Sequence, residues 1–201
     1  MNKFFDFFKK NSTDIIKPTA VLLAICVIIP LALSLTNKIT VKKIARLEEE
    51  NSKKAMAGLI EADDFRTATV SDTEYYEAVK DGNTVGYIFK TSSKGYGGDV
   101  SVMTAINPDG TVKSVAILDV SNETPGLGQN AAKENFYSQY AGKKNGVSLL
   151  KNGADSEKNE VDAVTGATIT STAVNRAVNE ALDEFEKLSE STNTAEVTDG
   201  E

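Results

Sequence analysis

The sequence predicts an α+β fold: a head of antiparallel strands packed by helices, carried behind a single N-terminal transmembrane helix. Three observations predict it. Residues 18–37 carry no charge. From about Arg66 to Val120 short apolar segments alternate with turn residues. From about Thr170 to Leu188 the apolar residues recur at helical spacing.

The uncharged run from Pro18 to Asn37 is bounded by Lys17 and Lys38 and centres on Val21–Leu33. About 20 residues at 1.5 Å rise cross a hydrocarbon layer about 30 Å thick. Pro30 is expected to kink the helix, which a membrane tolerates. A secretory signal has a shorter apolar core and a small-residue cleavage site, so a retained anchor is the better reading. Ahead of it, in the N-terminal segment 1–17, Phe4, Phe5, Phe7 and Phe8 lie among lysines. They suit an interfacial segment or, equally, a frayed terminus.

Residues 1–46 hold eight basic and two acidic residues, a net of +6, and with a total of −7 the remainder carries −13. A basic end beside an acidic body fits an anchor and a head. Lysines and arginines balance across the span, so the positive-inside rule gives no orientation. The short N-terminus is expected to stay in the cytoplasm, with the head on the extracytoplasmic side of the cell membrane. So acidic a head is a poor partner for nucleic acid, whose phosphates need a basic face.

Residues 38–65 read as a helical stalk. Ile44, Leu47, Met56, Leu59 and Ile60 form an apolar stripe too broken for a coiled coil. The head follows, from 66 to 188. Glu74–Lys80 and Thr84–Lys90 form a hairpin about Asp81-Gly82-Asn83, and Val100–Ile106 and Thr111–Val120 a second about Asn107-Pro108-Asp109-Gly110. Gln129–Tyr140 reads as a short helix, and Ser148–Leu150 and Val161–Asp162 as short strands around a polar loop. In the last helix Val174, Ala177, Val178, Ala181, Leu182, Phe185 and Leu188 share one face, with Asn175, Arg176, Glu180, Asp183 and Glu184 mostly opposite. Residues 189–201 lack apolar periodicity and read as a disordered tail.

The chain of 201 residues contains no histidine and one cysteine, Cys26. Ser-His-Asp and Cys-His catalysis, histidine-ligated metals and internal disulfides are therefore excluded. Hard chemistry has to come from carboxylates, hydroxyls or a bound cofactor. No complete active site and no metal site is read here.

Three segments are candidates for binding. Asp162-Ala-Val-Thr165-Gly166-Ala167-Thr168-Ile169-Thr170 runs straight into the last helix. A helix start offers unpaired N–H groups and about half a positive charge, so it suits a phosphate, and a threonine hydroxyl there can be esterified by one. Ordinary N-capping explains the same residues. Glu123-Thr124-Pro125-Gly126-Leu127-Gly128 is a loop that can wrap a flat ligand or an anion, or simply end a strand. In Lys94-Gly95-Tyr96-Gly97-Gly98 glycines flank one aromatic that can lie against a planar ligand, though a flexible hairpin end reads the same way. Neither a Walker loop nor a dinucleotide fingerprint occurs.

Together these segments resemble the FMN-binding domain shared by the G subunit of the Rnf electron-transport complex and the C subunit of the sodium-pumping NADH:quinone reductase. The family signature Asp-x-x-(Ser/Thr)-Gly-Ala-(Ser/Thr) is matched by Asp162–Thr168, its companion loop by Glu123–Gly128, and a Gly-Tyr motif by Gly95-Tyr96. The resemblance covers about residues 70–188, and the chain's length fits the Rnf protein better.

The resemblance implies a membrane-anchored electron-transfer subunit of a ferredoxin:NAD+ oxidoreductase that translocates Na+ or H+. It implies FMN joined through its phosphate to the Thr168 hydroxyl, by a flavin transferase that uses FAD and Mg2+. The N–H groups of Thr168, Ile169 and Thr170 would hold the phosphate, Thr165 would cap the helix or hydrogen-bond the phosphate, and Gly166 and Ala167 would leave room for the transferase. Glu123, Thr124, Gly126 and Leu127 would line the isoalloxazine, with Tyr96 a further contact. Asp162 would serve recognition by the transferase. The other integral-membrane subunits of the complex and the lipid bilayer would be its partners. Two alternatives stand beside this reading: the corresponding quinone-reductase subunit, and a tethered scaffold module without a redox role.

Overall fold

The computed structural model describes residues 12–71 and 73–198. The phenylalanine cluster at residues 4–8 lies outside them. The chain divides between Glu50 and Asn51 into two compact units.

In the first unit the dominant feature is the N-terminal part of helix α1, which spans Ser12–Leu59 and runs through Pro18 and Pro30. Lys17–Leu59 is long and apolar enough to cross a bilayer, with a mean hydropathy of 2.5 in its most apolar window. Its apolar side chains, from Val21 to Leu35, stand exposed. A helix apolar all round, with these side chains exposed among the described residues, suits a hydrocarbon surround.

The second unit is an antiparallel meander: β1 (Asp64–Val70), β2 (Thr73–Lys80), β3 (Asn83–Lys94), β4 (Asp99–Ile106) and β5 (Val112–Asp119), in that spatial order. The connection between β2 and β3 is a two-residue turn in which Asp81 and Gly82 both take positive φ, 52° and 80°. That is the backbone the right-handed strand twist demands of a tight hairpin. Between β4 and β5, Gly110 (φ 80°) returns its N–H to the Asn107 carbonyl at 2.9 Å.

Helix α3 (Thr168–Thr198) covers one face of this sheet. Ala173, Val174, Ala177, Val178, Ala181, Leu182 and Phe185 are buried there against Phe89, Val100, Val102 and Ile106. Each of the larger side chains contributes about 1.5–3 kcal/mol by leaving water. The Thr91 hydroxyl donates to the Ala177 carbonyl at 2.8 Å and ties sheet to helix. Met56, Leu59 and Ile60 cover the other face, over Ala78, Ile88, Met103 and Ala105. Ser114 donates to the Leu59 carbonyl at 2.6 Å and closes that helical end.

Five sequence-based expectations are corrected. The helical stalk stops at Leu59, and Asp64 and Phe65 already belong to β1, because the sheet captures Met56–Ile60. Gln129–Tyr140 is not one helix: 3-10 turns at Gly128–Ala132 and Ser138–Tyr140 flank the short α2, Glu134–Tyr137. Lys133 interrupts them with extended backbone (φ −83°, ψ 141°). The small strands β6 (Ser148–Leu150) and β7 (Glu160–Asp162) pair in parallel, so the head is not wholly antiparallel. Asn175 is half-buried and not left to solvent: with Asn179 it donates to the Val147 carbonyl, at 2.9 and 3.0 Å, pinning the chain ahead of β6. Finally, α3 continues past Leu188 to Thr198, since no glycine or proline intervenes to stop it.

Candidate functional site

The start of α3 is shaped by a glycine and a serine. Gly166 takes φ 78°, open to it but strained for other residues. A Cβ there would come within 3.1 Å of Leu127 Cδ2. The Ser171 hydroxyl, four residues on, donates to the Ala167 carbonyl at 3.0 Å and accepts the Val164 N–H at 2.9 Å. Ser171, and not Thr165, therefore satisfies the backbone leading into the helix. The first main-chain hydrogen bond of the ladder runs from Ser171 N–H to the Ala167 carbonyl at 2.9 Å. The N–H groups of Thr168, Ile169 and Thr170 precede it and are the orphan donors of a helix start.

Beside these donors lies a cavity of about 470 Å³, lined by Tyr96, Glu123, Thr124, Leu127, Gly128 and residues 166–170. Three chain segments far apart in sequence meet in it: the loop after β3, the loop after β5 and the start of α3. Thr168 is exposed on its rim. Tyr96, Leu127 and Ile169 present large apolar surfaces to it, exposed by 72%, 45% and 55%.

Glu123 joins the three segments. It is 2% exposed. Thr170 donates its hydroxyl to Oε2 at 2.6 Å, and Gly97 donates its N–H to Oε1 at 3.0 Å. Both carboxylate oxygens act as acceptors. The neighbouring glycines are there for space. A Cβ on Gly128 would meet Glu123 Oε2 at 2.7 Å and Thr170 Oγ1 at 2.8 Å. A Cβ on Gly97 would run into the Asn122 carbonyl oxygen, and one on Gly95 into Glu123 Oε1.

The structure thus brings Tyr96, Glu123, Thr124, Leu127, Gly166, Ala167, Thr168, Ile169 and Thr170 to one cavity. Gly128, not singled out as a contact from the sequence, belongs with them. Gly126 does not line it: with φ 77° it makes the turn, and its carbonyl accepts the Asn130 side chain at 2.6 Å. Thr165 and Asp162 open onto a separate polar cavity of about 390 Å³ with Asn130, Lys133, Asn135, Gln139 and Asn152. Asp162 Oδ1 accepts the Ala154 N–H at 2.9 Å, and its own N–H donates to Gln139 at 2.8 Å. The loop between β6 and β7 is held in part by this aspartate.

An FMN-binding domain family matches residues 95–183, a stretch that includes every residue lining the larger cavity. The G subunit of the proton-translocating ferredoxin:NAD(+) oxidoreductase complex of Clostridium ljungdahlii is 34% identical over 87% of this chain and 94% of its own length. Its counterpart in the Na(+)-translocating complex of Acetobacterium woodii is 32% identical over 84% and 90%. Among solved structures, NqrC of Shewanella oneidensis shares the fold with a TM-score of 0.50 and 25% identity over 56% of this chain. The C subunit of the Na(+)-translocating NADH-quinone reductase of Parabacteroides distasonis does so with the same score and identity over 57%. The chain spans 61% of the length of each of those two structures. By its near full-length likeness to the G subunits, the chain belongs to the G-subunit family of ion-translocating oxidoreductase complexes.

Proposed function

We propose that this protein is a membrane-anchored electron-transfer subunit of a ferredoxin:NAD+ oxidoreductase complex that translocates Na+ or H+, with FMN bound through its phosphate to Thr168. The observation that carries the reading is the exposed Thr168 hydroxyl on the first turn of α3, at the rim of the 470 Å³ cavity. The residues present fit the group. The N–H groups of Thr168–Thr170 favour an anion, and the bare backbone at Gly128 lets Glu123 and Thr170 close up behind the cavity wall. Tyr96, Leu127 and Ile169 offer apolar surface to a flat ring system.

A flavin transferase using FAD and Mg2+ supplies the linkage. In that transfer Thr168 would be the acceptor hydroxyl, exchanging its proton for the flavin-side phosphoryl group of FAD, with AMP as the leaving group. Asp162 and Thr165, which share the second cavity, are further signature residues for that enzyme to recognise. Bound flavin supplies one-electron relay chemistry. The chain's own residues hold the ring and phosphate, and Glu123 fixes the relative placement of the three segments around them.

Anchoring rests on the apolar span of α1. The head is assigned to the extracytoplasmic side, where a covalent tether keeps a cofactor that would otherwise be lost by dissociation. The partners are the integral-membrane subunits of the complex, in keeping with the relatives' names. The test is flavin fluorescence of the full-length protein on a denaturing gel after coexpression with the transferase. A band in wild type that is lost in Thr168→Ala supports the reading, and a dark wild-type band contradicts it.

A further inference from the structure

We infer that Glu123 sets the charge preference of the flavin cavity, disfavouring negative charge on its occupant and so holding the flavin at a lower reduction potential than the cavity would without it. The inference rests on the flavin occupying this cavity.

The wall of the cavity contains no lysine and no arginine among the described residues. Its one ionisable carboxylate, Glu123, is 2% exposed and makes no ion pair among the described residues. Two neutral donors, the Thr170 hydroxyl and the Gly97 N–H, solvate it. A buried charge so compensated keeps most of its field, because little water screens it. The Thr170 hydroxyl, spent on Glu123, is not free to donate to an occupant. Among the residues lining the cavity, what stands against the carboxylate is the partial positive charge of the α3 N-terminus, about half a charge.

Two consequences follow. Phosphate as a monoester carries about −1.5 to −2, more than a helix end beside a carboxylate can offset. Esterification to Thr168 leaves a single negative charge, so the tethered form suits the cavity better than the free nucleotide. Adding an electron to the ring without a proton adds a further negative charge within reach of Glu123, and the oxidised form is favoured.

The variant Glu123→Gln removes the charge while its amide can keep both contacts: the oxygen accepts from Gly97, and the nitrogen donates to Thr170, whose hydroxyl is also an acceptor. Spectroelectrochemical titration of the flavin-bearing full-length protein is the test. In Glu123→Gln the oxidised-to-reduced ratio at a fixed potential falls at least tenfold, equivalent to about 59 mV for a one-electron couple. Flavin present with its potential unchanged or lowered overturns this inference alone, whereas wild type without flavin removes the functional reading and the inference with it. A second measurement needs no Glu123 variant. Thr168→Ala protein, titrated with FMN and with riboflavin by fluorescence quenching, binds the two within a few-fold of each other. FMN binding tenfold more tightly than riboflavin overturns the inference.

Discussion

Thr170 and Glu123, 47 residues apart, are joined out of solvent by a 2.6 Å hydrogen bond from the threonine hydroxyl to the carboxylate. The start of α3 is thereby locked to the loop after β5. Thr170→Val removes the donor and leaves a buried carboxylate with one fewer partner. The expected cost is about 1–3 kcal/mol, read by thermal unfolding of the full-length protein in detergent. Thr170→Ser, which keeps the hydroxyl, should recover most of it. Equal stability of the valine variant and wild type would remove Glu123 from its role as a latch.

Gly97 packs so closely on Asn122 that a methyl group has nowhere to go. Gly97→Ala is expected to cost about 1–3 kcal/mol by overpacking, and to lower flavin incorporation by shifting Tyr96. Gly58 is the contrasting case. It lies in α1, and an added Cβ would meet nothing within 4 Å. Gly58→Ala should stabilise by about 0.5–1 kcal/mol through helix propensity. Unfolding curves of the two variants shifted in the same direction would contradict this account of the glycines.

Two buried threonines of the sheet make an internal comparison. Thr91 gives its hydroxyl to the Ala177 carbonyl at 2.8 Å. The hydroxyl of Thr104, fully buried, has no partner among the described residues. Thr91→Val should cost about 0.5–1.5 kcal/mol, and Thr104→Val should be neutral or stabilising, because only the first breaks a bond. Chemical denaturation of both variants checks the order.

Alkali should loosen the head through its buried phenols. Burial first, and then the Glu77 carboxylate at 3.3 Å from its hydroxyl, pushes Tyr75 up to about 12. Burial alone raises Tyr140. An unfolded tyrosine titrates near 10. Between these values the unfolded chain gives up protons that the folded one retains. The stability contributed is complete below about pH 10 and is lost as pH rises through about 12. Unfolding free energies measured across that window should fall, with a shallower slope in Tyr75→Phe. A flat profile would contradict the burial of these phenols.

Local pattern carried much of this molecule. The uncharged run 18–37, the Asp81-Gly82 turn and the apolar face of α3 are short-range signals, and each of these elements is found. The motifs around Thr168 and Glu123 were legible as motifs, and the G-subunit family they resemble is the one the chain belongs to. Less legible was what depends on distant contacts. Nothing local to Glu123 says that its carboxylate reaches Thr170, or that Gly97 rests on Asn122. Nothing in the helical spacing of Asn175 says that its amide reaches the Val147 carbonyl. The signature Asp162–Thr168 reads as one unit in sequence, yet the sharp turn at Gly166 sends Thr165 and Thr168 to different cavities. Lys133 carries no helix-breaking chemistry, yet its backbone is extended between buried Ala131 and buried Phe136 and Tyr140.

The central claim is a flavin phosphodiester on one hydroxyl, and peptide mapping tests it most directly. The full-length protein, coexpressed with flavin transferase, is digested and the peptide containing residues 162–172 is sequenced by mass spectrometry. The account predicts one FMN on that peptide, with fragment ions placing it on Thr168. An unmodified peptide, or a flavin on any other residue, would contradict it.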